Sequence, residues 1–216
     1  MDWRVVVNSI FPVLAALAAY LMGSLSFAVI VSRLMGLNDP RTYGSQNPGA
    51  TNVLRSGSKP AAVITLVLDA AKGWLPVWLV GHWGQAYGLA EGTQAMVGLA
   101  AFLGHLYPVF FRFQGGKGVA TAAGVVLGFD PLLGAATLLT WLIITVFFRY
   151  VSLSSMIAAS FAPVYYLLGD RLAWYAETPI TLVLFAMALL LVWRHRENIN
   201  RLVTGKESRL GGKAKA

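Results

Sequence analysis

The stretch from Ile10 to Val31, IFPVLAALAAYLMGSLSFAVIV, decides the fold of this chain. It contains no charged residue and runs for about 22 residues. At a helical rise of about 1.5 Å per residue, that length matches the roughly 30 Å of hydrocarbon in a bilayer. The stretch therefore predicts a first transmembrane helix.

Outward from this stretch, six more apolar segments follow, and we interpret each as a span: residues 60–80, 95–111, 119–129, 132–148, 152–168 and 179–193. The fourth span is short for a full crossing and is expected to be half-buried or tilted. The composition, 57% hydrophobic and 12% charged with a mean hydropathy of +0.64, excludes an ordinary soluble domain. The sequence predicts an all-α, polytopic integral membrane protein of seven transmembrane helices, a single domain over residues 1–216 with a basic tail from about residue 203.

The positive charges predict the orientation in the membrane. All but Arg4, Lys72 and Arg171 of the 17 lysines and arginines follow the odd-numbered spans. By the positive-inside rule, the N-terminus lies outside and the C-terminus in the cytoplasm. The net charge of +8 suits anionic lipid headgroups and equally suits anionic substrates.

Three polar regions interrupt the apolar pattern, and this orientation places all of them at the cytoplasmic face. They are GSQNPGATNVLR at residues 44–55, residues 105–121 with the glycine-rich loop RFQGGKG at 112–118, and SLSS at 152–155 together with HRENINR at 195–201. Glycine-loop N–H groups, hydroxyls and fixed cations at one face are what a phosphate-bearing ligand needs.

Each region also has a plainer interpretation. The first could be a capped turn leading into a helix, and the second a tight turn whose lysine contacts headgroups, since it lacks the spacing of a nucleotide-binding P-loop. Asp69 and Lys72 share a helix face, and we expect a structural ion pair in the bundle interior, with a functional role as the alternative. His82 is expected at the membrane interface. His105 and His195 could each serve the site or contact a loop or lipid phosphates.

Other chemistries are excluded. Cysteine is absent, which rules out disulfides, thiolate metal sites and a cysteine-linked acyl intermediate. No histidine is followed five residues later by aspartate, so the His-x4-Asp signature of soluble acyltransferases is missing. We expect no metal and no cofactor.

Taken together, the polar motifs resemble those of the acyl-phosphate:glycerol-3-phosphate acyltransferase family (PlsY). The likeness runs from about Gly23 to Glu207 and rests on GS at 23–24, the 44–55 segment, DxxKG at 69–73, GHxxPxF at 104–110, GGKGVAT at 115–121 and RHxxNIxRLxxGxE at 194–207. It implies a seven-span bacterial inner-membrane enzyme, open to the cytoplasm, that acylates the sn-1 hydroxyl of glycerol 3-phosphate to lysophosphatidic acid in the first step of phospholipid synthesis.

The resemblance also implies the site residues. The catalytic residues are Ser45, Arg55, Lys117 and His195. The substrate-binding residues are Asn47, Thr51, Asn52, His105, Gly115, Gly116, Ser155 and Asn198. The family usually has glycine where this chain has Gln46, so a positive φ at that position would strain the loop.

The expected mechanism is direct transfer, with Arg55 and Lys117 offsetting the repulsion of two phosphates and either His195 or the donor's own phosphate accepting the hydroxyl proton. The acyl chain is expected between the spans. The expected partners are acyl phosphate, glycerol 3-phosphate, membrane lipids and a soluble acyl-phosphate-forming enzyme, with no nucleic acid. Two alternatives stay open: a transporter for a phosphorylated solute, and transfer from acyl-CoA or acyl carrier protein.

Overall fold

The fold is built from α-helices throughout the part of the chain that the computed structural model describes, residues 3–89 and 92–211. The helices in order are α1 Trp3–Gly23, α2 Phe27–Leu34, α3 Ala50–Leu54, α4 Lys59–Trp83, α5 Thr93–Leu106, α6 Val119–Phe129, α7 Pro131–Phe148, α8 Val151–Leu168, α9 Thr178–Arg194 and α10 Arg196–Val203. Short 3-10 turns cover Gly84–Tyr87 and Val109–Phe111. The predicted all-α fold class is confirmed.

Capping residues set the starts of two long helices. Before α4, the Ser58 hydroxyl accepts a hydrogen bond from the Ala61 N–H at 3.3 Å, and a proline lies in the first turn. Before α7, the Asp130 carboxylate accepts from the N–H groups of Leu132 and Leu133 at 2.8 and 2.9 Å. These caps satisfy donors that a helix start leaves unpaired, so the boundaries fall close to those predicted.

The first predicted span is not one continuous helix. It breaks between α1 and α2, which are bent by 43°. A partner from a distant segment satisfies the broken backbone, because Lys72 Nζ donates to the Leu25 carbonyl at 2.6 Å. The Ser24 hydroxyl at the break accepts from the Val109 N–H at 3.3 Å, which ties the segment after α5 to the same place. A break inside an apolar segment is tolerated only with such partners, and no pattern in the local sequence revealed them.

Small residues bring four helices into close contact. At Gly23, an added Cβ would collide with the carbonyl oxygen of Ala101, which places α1 directly against α5. At Gly124, it would collide with the Ala70 carbonyl, which places α6 against α4. Close backbone approach through glycine is typical of membrane helix pairs.

The outer surface and the helix lengths indicate a multi-pass membrane protein. The α7 side chains Leu139, Leu142 and Val146 are exposed, as expected of a face in contact with lipid. Within residues 3–89 and 92–211, four helical segments are long and apolar enough to cross a membrane, and up to six if the bent pairs α1–α2 and α9–α10 each count as one. The seven predicted spans all coincide with helices, but α6, with 11 residues, is shorter than a crossing requires.

Candidate active site

The polar loop between α2 and α3 is held by the buried side chain of Asn52. Its Oδ1 accepts a hydrogen bond from the Ser45 N–H at 3.0 Å, and its Nδ2 donates to the carbonyls of Pro40 at 2.6 Å and Tyr43 at 3.1 Å. Gly44, at φ +59°, leaves no room for a Cβ beside the Asn52 amide oxygen. The Asn52 amide therefore holds the loop in place, and the substrate contact predicted for it stays a prediction.

Three other predicted residues, in this loop and in the first turn of α3, keep their polar groups available. The side chains of Ser45, Asn47 and Thr51 make no hydrogen bond within residues 3–89 and 92–211, and Ser45 and Thr51 are exposed. Gln46 has φ +55°, a left-handed conformation that costs a non-glycine residue about 1–2 kcal/mol. The positive φ suspected at this position is confirmed, so the loop carries strain where the family usually has glycine.

The glycine-rich loop before α6 is clamped from two sides. The Gly116 N–H donates to the His105 carbonyl at 3.2 Å, while the Arg194 guanidinium donates to the carbonyls of Gly115 at 2.8 Å and Gly116 at 2.9 Å. A Cβ at Gly115 would meet the carbonyl oxygens of His105 and Leu106. The sequence predicts the loop N–H groups as anion donors, and the N–H of Gly116 donates to the His105 carbonyl in this structure, so its role toward an anion stays a prediction.

Lys117, the cation of this loop, belongs to a polar cluster with the C-terminal segment. Its Nζ donates to Asn198 Oδ1. The Asn198 Nδ2 donates to Glu207 Oε1 at 2.6 Å, and the Ser152 hydroxyl donates to the same oxygen at 2.6 Å. Arg201 Nε donates to Glu207 Oε2 at 2.8 Å. These contacts bring α6, α8 and α10 together at one end of the bundle.

The electrostatics of this cluster favour an added anion. Burial, followed by the nearby Arg201 charge, lowers the pKa of Lys117 to about 8. For Glu207, burial alone would raise the pKa, but hydrogen bonds from Ser152, Arg201 and Asn198 hold it below its usual value. The cluster thus contains a destabilised cation, which a bound phosphate would stabilise.

His195 occupies the joint between α9 and α10, where the chain bends by 57°. Its ring is buried, and Nδ1 lies 2.8 Å from the Leu191 carbonyl oxygen. Because a carbonyl only accepts, Nδ1 carries the proton and Nε2 keeps a lone pair. His195 is therefore held in the tautomer that a general base needs.

Arg55 and Lys117 lie at the same end of the bundle, as the proposed site requires. Arg55 Nη2 donates to the Ser208 hydroxyl at 3.0 Å, and the neighbouring Glu207 bonds the Asn198 amide that contacts Lys117. The segment after α10 is predicted to be a basic cytoplasmic tail, and this stays a prediction. Within it, Glu207 contacts Asn198 and Ser208 contacts Arg55, while residues 212–216 lie outside the described residues.

An apolar cavity of about 160 Å³ opens next to the polar cluster, between α4, α6, α7, α8 and α9. On α9, Leu191 lines the cavity one turn before His195. On α8, Ser155 lines it one turn after Ser152. The remaining walls are Trp141 and Thr137 of α7 together with small or aliphatic side chains, among them Val119, Ala122, Ala158, Ala162, Leu184 and Ala188. Helices α8 and α9 therefore each present a polar group at the end of the bundle and apolar groups below it.

Two predicted site residues lie away from the polar cluster. The Ser155 hydroxyl donates to the Val151 carbonyl at 2.7 Å and accepts from the Trp141 indole at 3.2 Å, so it belongs to the cavity wall. His105 is buried beneath the glycine-rich loop. Ser155 thus lies in the cavity wall and His105 lies under the glycine-rich loop, and the substrate-binding role of each stays a prediction.

Sequence reasoning missed two residues that build the site. Arg194 holds the glycine-rich loop, and Glu207 orients Asn198. Both stand in the 194–207 motif quoted above, but neither the charge of Arg194 nor that of Glu207 indicates which backbone or amide group it contacts. That information lies only in the tertiary structure.

Comparisons with known proteins show the family of this chain. A family model described as glycerol-3-phosphate acyltransferase matches residues 13–205. The chain belongs to the glycerol-3-phosphate acyltransferase family. A family member from Albidiferax ferrireducens is 67% identical over 208 residues, covering 96% of this chain and 93% of the relative, and one from Burkholderia ambifaria is 62% identical, covering 94% and 92%.

Solved structures of the glycerol-3-phosphate acyltransferase family share the fold. The crystal structure of PlsY (YgiH), an integral membrane glycerol 3-phosphate acyltransferase, in its glycerol 3-phosphate form matches with a TM-score of 0.84 and 39% identity, covering 93% of this chain and 96% of that one. Its lysophosphatidic acid form matches with a TM-score of 0.82 and 38% identity, covering 92% and 94%.

Proposed function

We propose that this glycerol-3-phosphate acyltransferase moves a fatty acyl group from acyl phosphate to the sn-1 hydroxyl of glycerol 3-phosphate, giving lysophosphatidic acid and inorganic phosphate. The observation that carries the proposal is that a cationic cluster lies next to an apolar cavity. On both α8 and α9, the residue at the polar end and the residue lining the cavity are one helical turn apart. A donor with a phosphate at one end and an acyl chain at the other fits such a junction.

The proposal includes the arrangement in the membrane. The whole chain, residues 1–216, is one membrane domain of a bacterial inner-membrane protein with seven spans, α6 being the short one. The N-terminus lies outside, and the site and C-terminus face the cytoplasm. The bias of lysines and arginines supports this orientation, as does the gathering of the polar loops at one end of the bundle.

Charge control is the main task of the site. Two phosphorylated reactants repel each other, and the cations Arg55 and Lys117 offset that repulsion. The hydroxyls of Ser45 and Thr51 and the amide of Asn47 add hydrogen bonds that orient the phosphates. Such groups stabilise a transition state best when they are held in place beforehand, and the clamps on both loops supply that rigidity.

The chemical step is a direct transfer. The sn-1 hydroxyl oxygen attacks the acyl carbonyl carbon, a new carbon–oxygen bond forms, and the bond from that carbon to the phosphate oxygen breaks with its electron pair going to phosphate. The hydroxyl proton passes to His195 Nε2 or to the departing phosphate. Since the donor is already activated, no acyl-enzyme is required.

One experiment tests the function directly. Purified protein in detergent is incubated with acyl phosphate and glycerol 3-phosphate, and the release of phosphate is followed together with the formation of lysophosphatidic acid. We expect both products in equal amounts. Activity with acyl-CoA or acyl carrier protein but not with acyl phosphate would contradict the donor assignment. Uptake of solute into proteoliposomes without transfer would contradict the enzyme itself. A soluble enzyme that forms acyl phosphate is the expected supplier of the donor.

A first prediction concerns the acyl chain. From Ser155 to Ala162 the cavity follows α8 for about 10 Å, at a rise of about 1.5 Å per residue. Replacing Ala158 by leucine halfway along it is expected to lower kcat/KM for palmitoyl phosphate about tenfold more than for decanoyl phosphate, because the deep half is then blocked. The matched control is Ala135→Leu, on the exposed surface of α7. An equal effect on both donors would contradict this placement of the chain.

A second prediction concerns pH. Because the pKa of Lys117 is lowered to about 8 and the site needs its cation, kcat/KM is expected to fall as pH rises through about 8. A phosphate monoester, with a second pKa near 6, is already a dianion in that range. Lys117→Arg keeps its charge at every such pH, so the alkaline fall should disappear in that variant. A fall that persists in Lys117→Arg would assign the titration to another group.

A further inference from the structure

A second polar cluster lies inside the helix bundle, away from the exposed donors of the site. Asp69 and Lys72 on α4, His105 on α5 and Thr121 on α6 are all buried. The Asp69 carboxylate lies 2.7 Å from Lys72 Nζ, which shows the ion pair expected from the sequence. His105 Nδ1 lies 3.7 Å from the same carboxylate and 3.0 Å from Thr121 Oγ1.

The hydrogens in this cluster are fixed by counting donors. The Thr121 hydroxyl lies 2.9 Å from the Asp69 backbone carbonyl, which only accepts, so the single hydroxyl proton points there. Thr121 Oγ1 must then accept from His105, whose Nδ1 therefore carries the proton. The other ring nitrogen, Nε2, faces Gly116, where an added Cβ would meet it.

The cluster joins two distant elements of the fold. At one end, Lys72 Nζ donates to the Leu25 carbonyl in the break between α1 and α2. At the other end, His105 contacts the glycine-rich loop twice, through its ring against Gly116 and through its carbonyl, which accepts the Gly116 N–H. Gly116 is the residue immediately before Lys117.

Stability alone does not explain a buried ion pair in this position. The free energy needed to move two charges out of water is about as large as the free energy gained from their attraction. Apolar side chains of similar volume therefore often stabilise a fold equally well. Ionisable groups inside a membrane are costly, and they are commonly functional. The ion pair of Asp69 and Lys72 instead fixes the orientation of the groups it contacts, because hydrogen bonds are directional.

We propose that Asp69, Lys72, His105 and Thr121 form a positioning network. The network holds the glycine-rich loop in place, and through the loop it positions Lys117 to contact the phosphates of the substrates. The inference rests on the proposed function. The four residues act through Gly116 and do not contact substrate. Loosening the network should therefore reduce transition-state stabilisation by Lys117 while leaving the apolar cavity unchanged.

The test compares Thr121→Val with Thr121→Ser in purified, monodisperse full-length protein. Valine keeps the size of threonine but removes the hydroxyl that links His105 to Asp69, whereas serine keeps the hydroxyl. For Thr121→Val, we expect kcat with acyl phosphate and glycerol 3-phosphate to fall about tenfold, with KM for acyl phosphate within about twofold of the unmodified protein. Thr121→Ser is expected to keep nearly full activity. The matched control is Thr65→Val on α4. It removes a buried hydroxyl that has no hydrogen-bond partner among the described residues.

A second pair of variants separates positioning from folding. Lys72→Met leaves Asp69 unpaired, and Asp69→Asn with Lys72→Met removes both charges. The double variant is expected to regain thermal stability relative to Lys72→Met but not kcat. Recovery of both stability and kcat, or full activity in Thr121→Val, would overturn the positioning role. Absence of acyl transfer in the unmodified protein would instead contradict the proposed function, so the two failures are distinguishable.

Discussion

Replacing Lys117 by alanine is expected to lower kcat/KM about a hundredfold, equivalent to about 3 kcal/mol of transition-state stabilisation. The side chain is partly buried and has the Asn198 amide oxygen and nearby cations around it, so its charge is weakly screened by water. A phosphate that gains charge as the acyl bond breaks should interact with this cation more strongly than the ground state does. Steady-state kinetics with both substrates varied would measure the loss.

Lys59→Ala is the matched control for that variant. Lys59 is exposed at the start of α4 and is outside the Lys117 cluster, so removing it should change kcat/KM by less than about twofold. Lys117→Arg should keep part of the activity, because arginine keeps the positive charge but carries it on a planar guanidinium group instead of an ammonium group. Unchanged kinetics in Lys117→Ala would rule out the catalytic role of this lysine.

Replacing His195 by alanine is expected to lower kcat about a hundredfold with little change in either KM, if Nε2 accepts the hydroxyl proton. The geometry supports this role because the Leu191 carbonyl holds the ring with the Nε2 lone pair unprotonated. A loss confined to KM would instead place His195 among the binding residues.

His195→Asn separates the two possible proton acceptors. An asparagine amide can still donate to the Leu191 carbonyl but has no basic nitrogen. If His195 is the base, this variant should be as slow as His195→Ala. Activity near that of the unmodified protein would assign the proton to the phosphate of the donor. His82→Ala, at the opposite end of α4 from the site, controls for loss of a histidine in general.

Several features could be predicted from the sequence because they depend on local physics. Apolar segments of span length predict helices, and Ser58 and Asp130 mark helix starts with their own side chains. The ion pair of Asp69 and Lys72 follows from their spacing on one helix face. The motifs carried the family resemblance for the same reason, since each lies within one short stretch of chain.

Contacts between distant segments could not be predicted in this way. The break after α1 depends on Lys72, a residue 47 positions later than Leu25, and the assignment of Asn52 to the loop depends on carbonyls up to 12 positions away. Glu207 lies in the last motif of the sequence, but its bond to the Asn198 amide was not predicted. The place of Ser155 in the cavity wall also depends on such contacts, since its hydroxyl donates to the Val151 carbonyl and accepts from the Trp141 indole.

The sequence by itself determined the helical membrane fold, the family and the groups available for chemistry, because hydrophobic length and short motifs are properties of contiguous residues. Only the tertiary structure decided which polar groups remain available to a ligand. That choice depends on where each buried donor and acceptor finds its partner, and for the side chains of Asn52, Thr121 and Asn198 a partner lies in another segment of the chain.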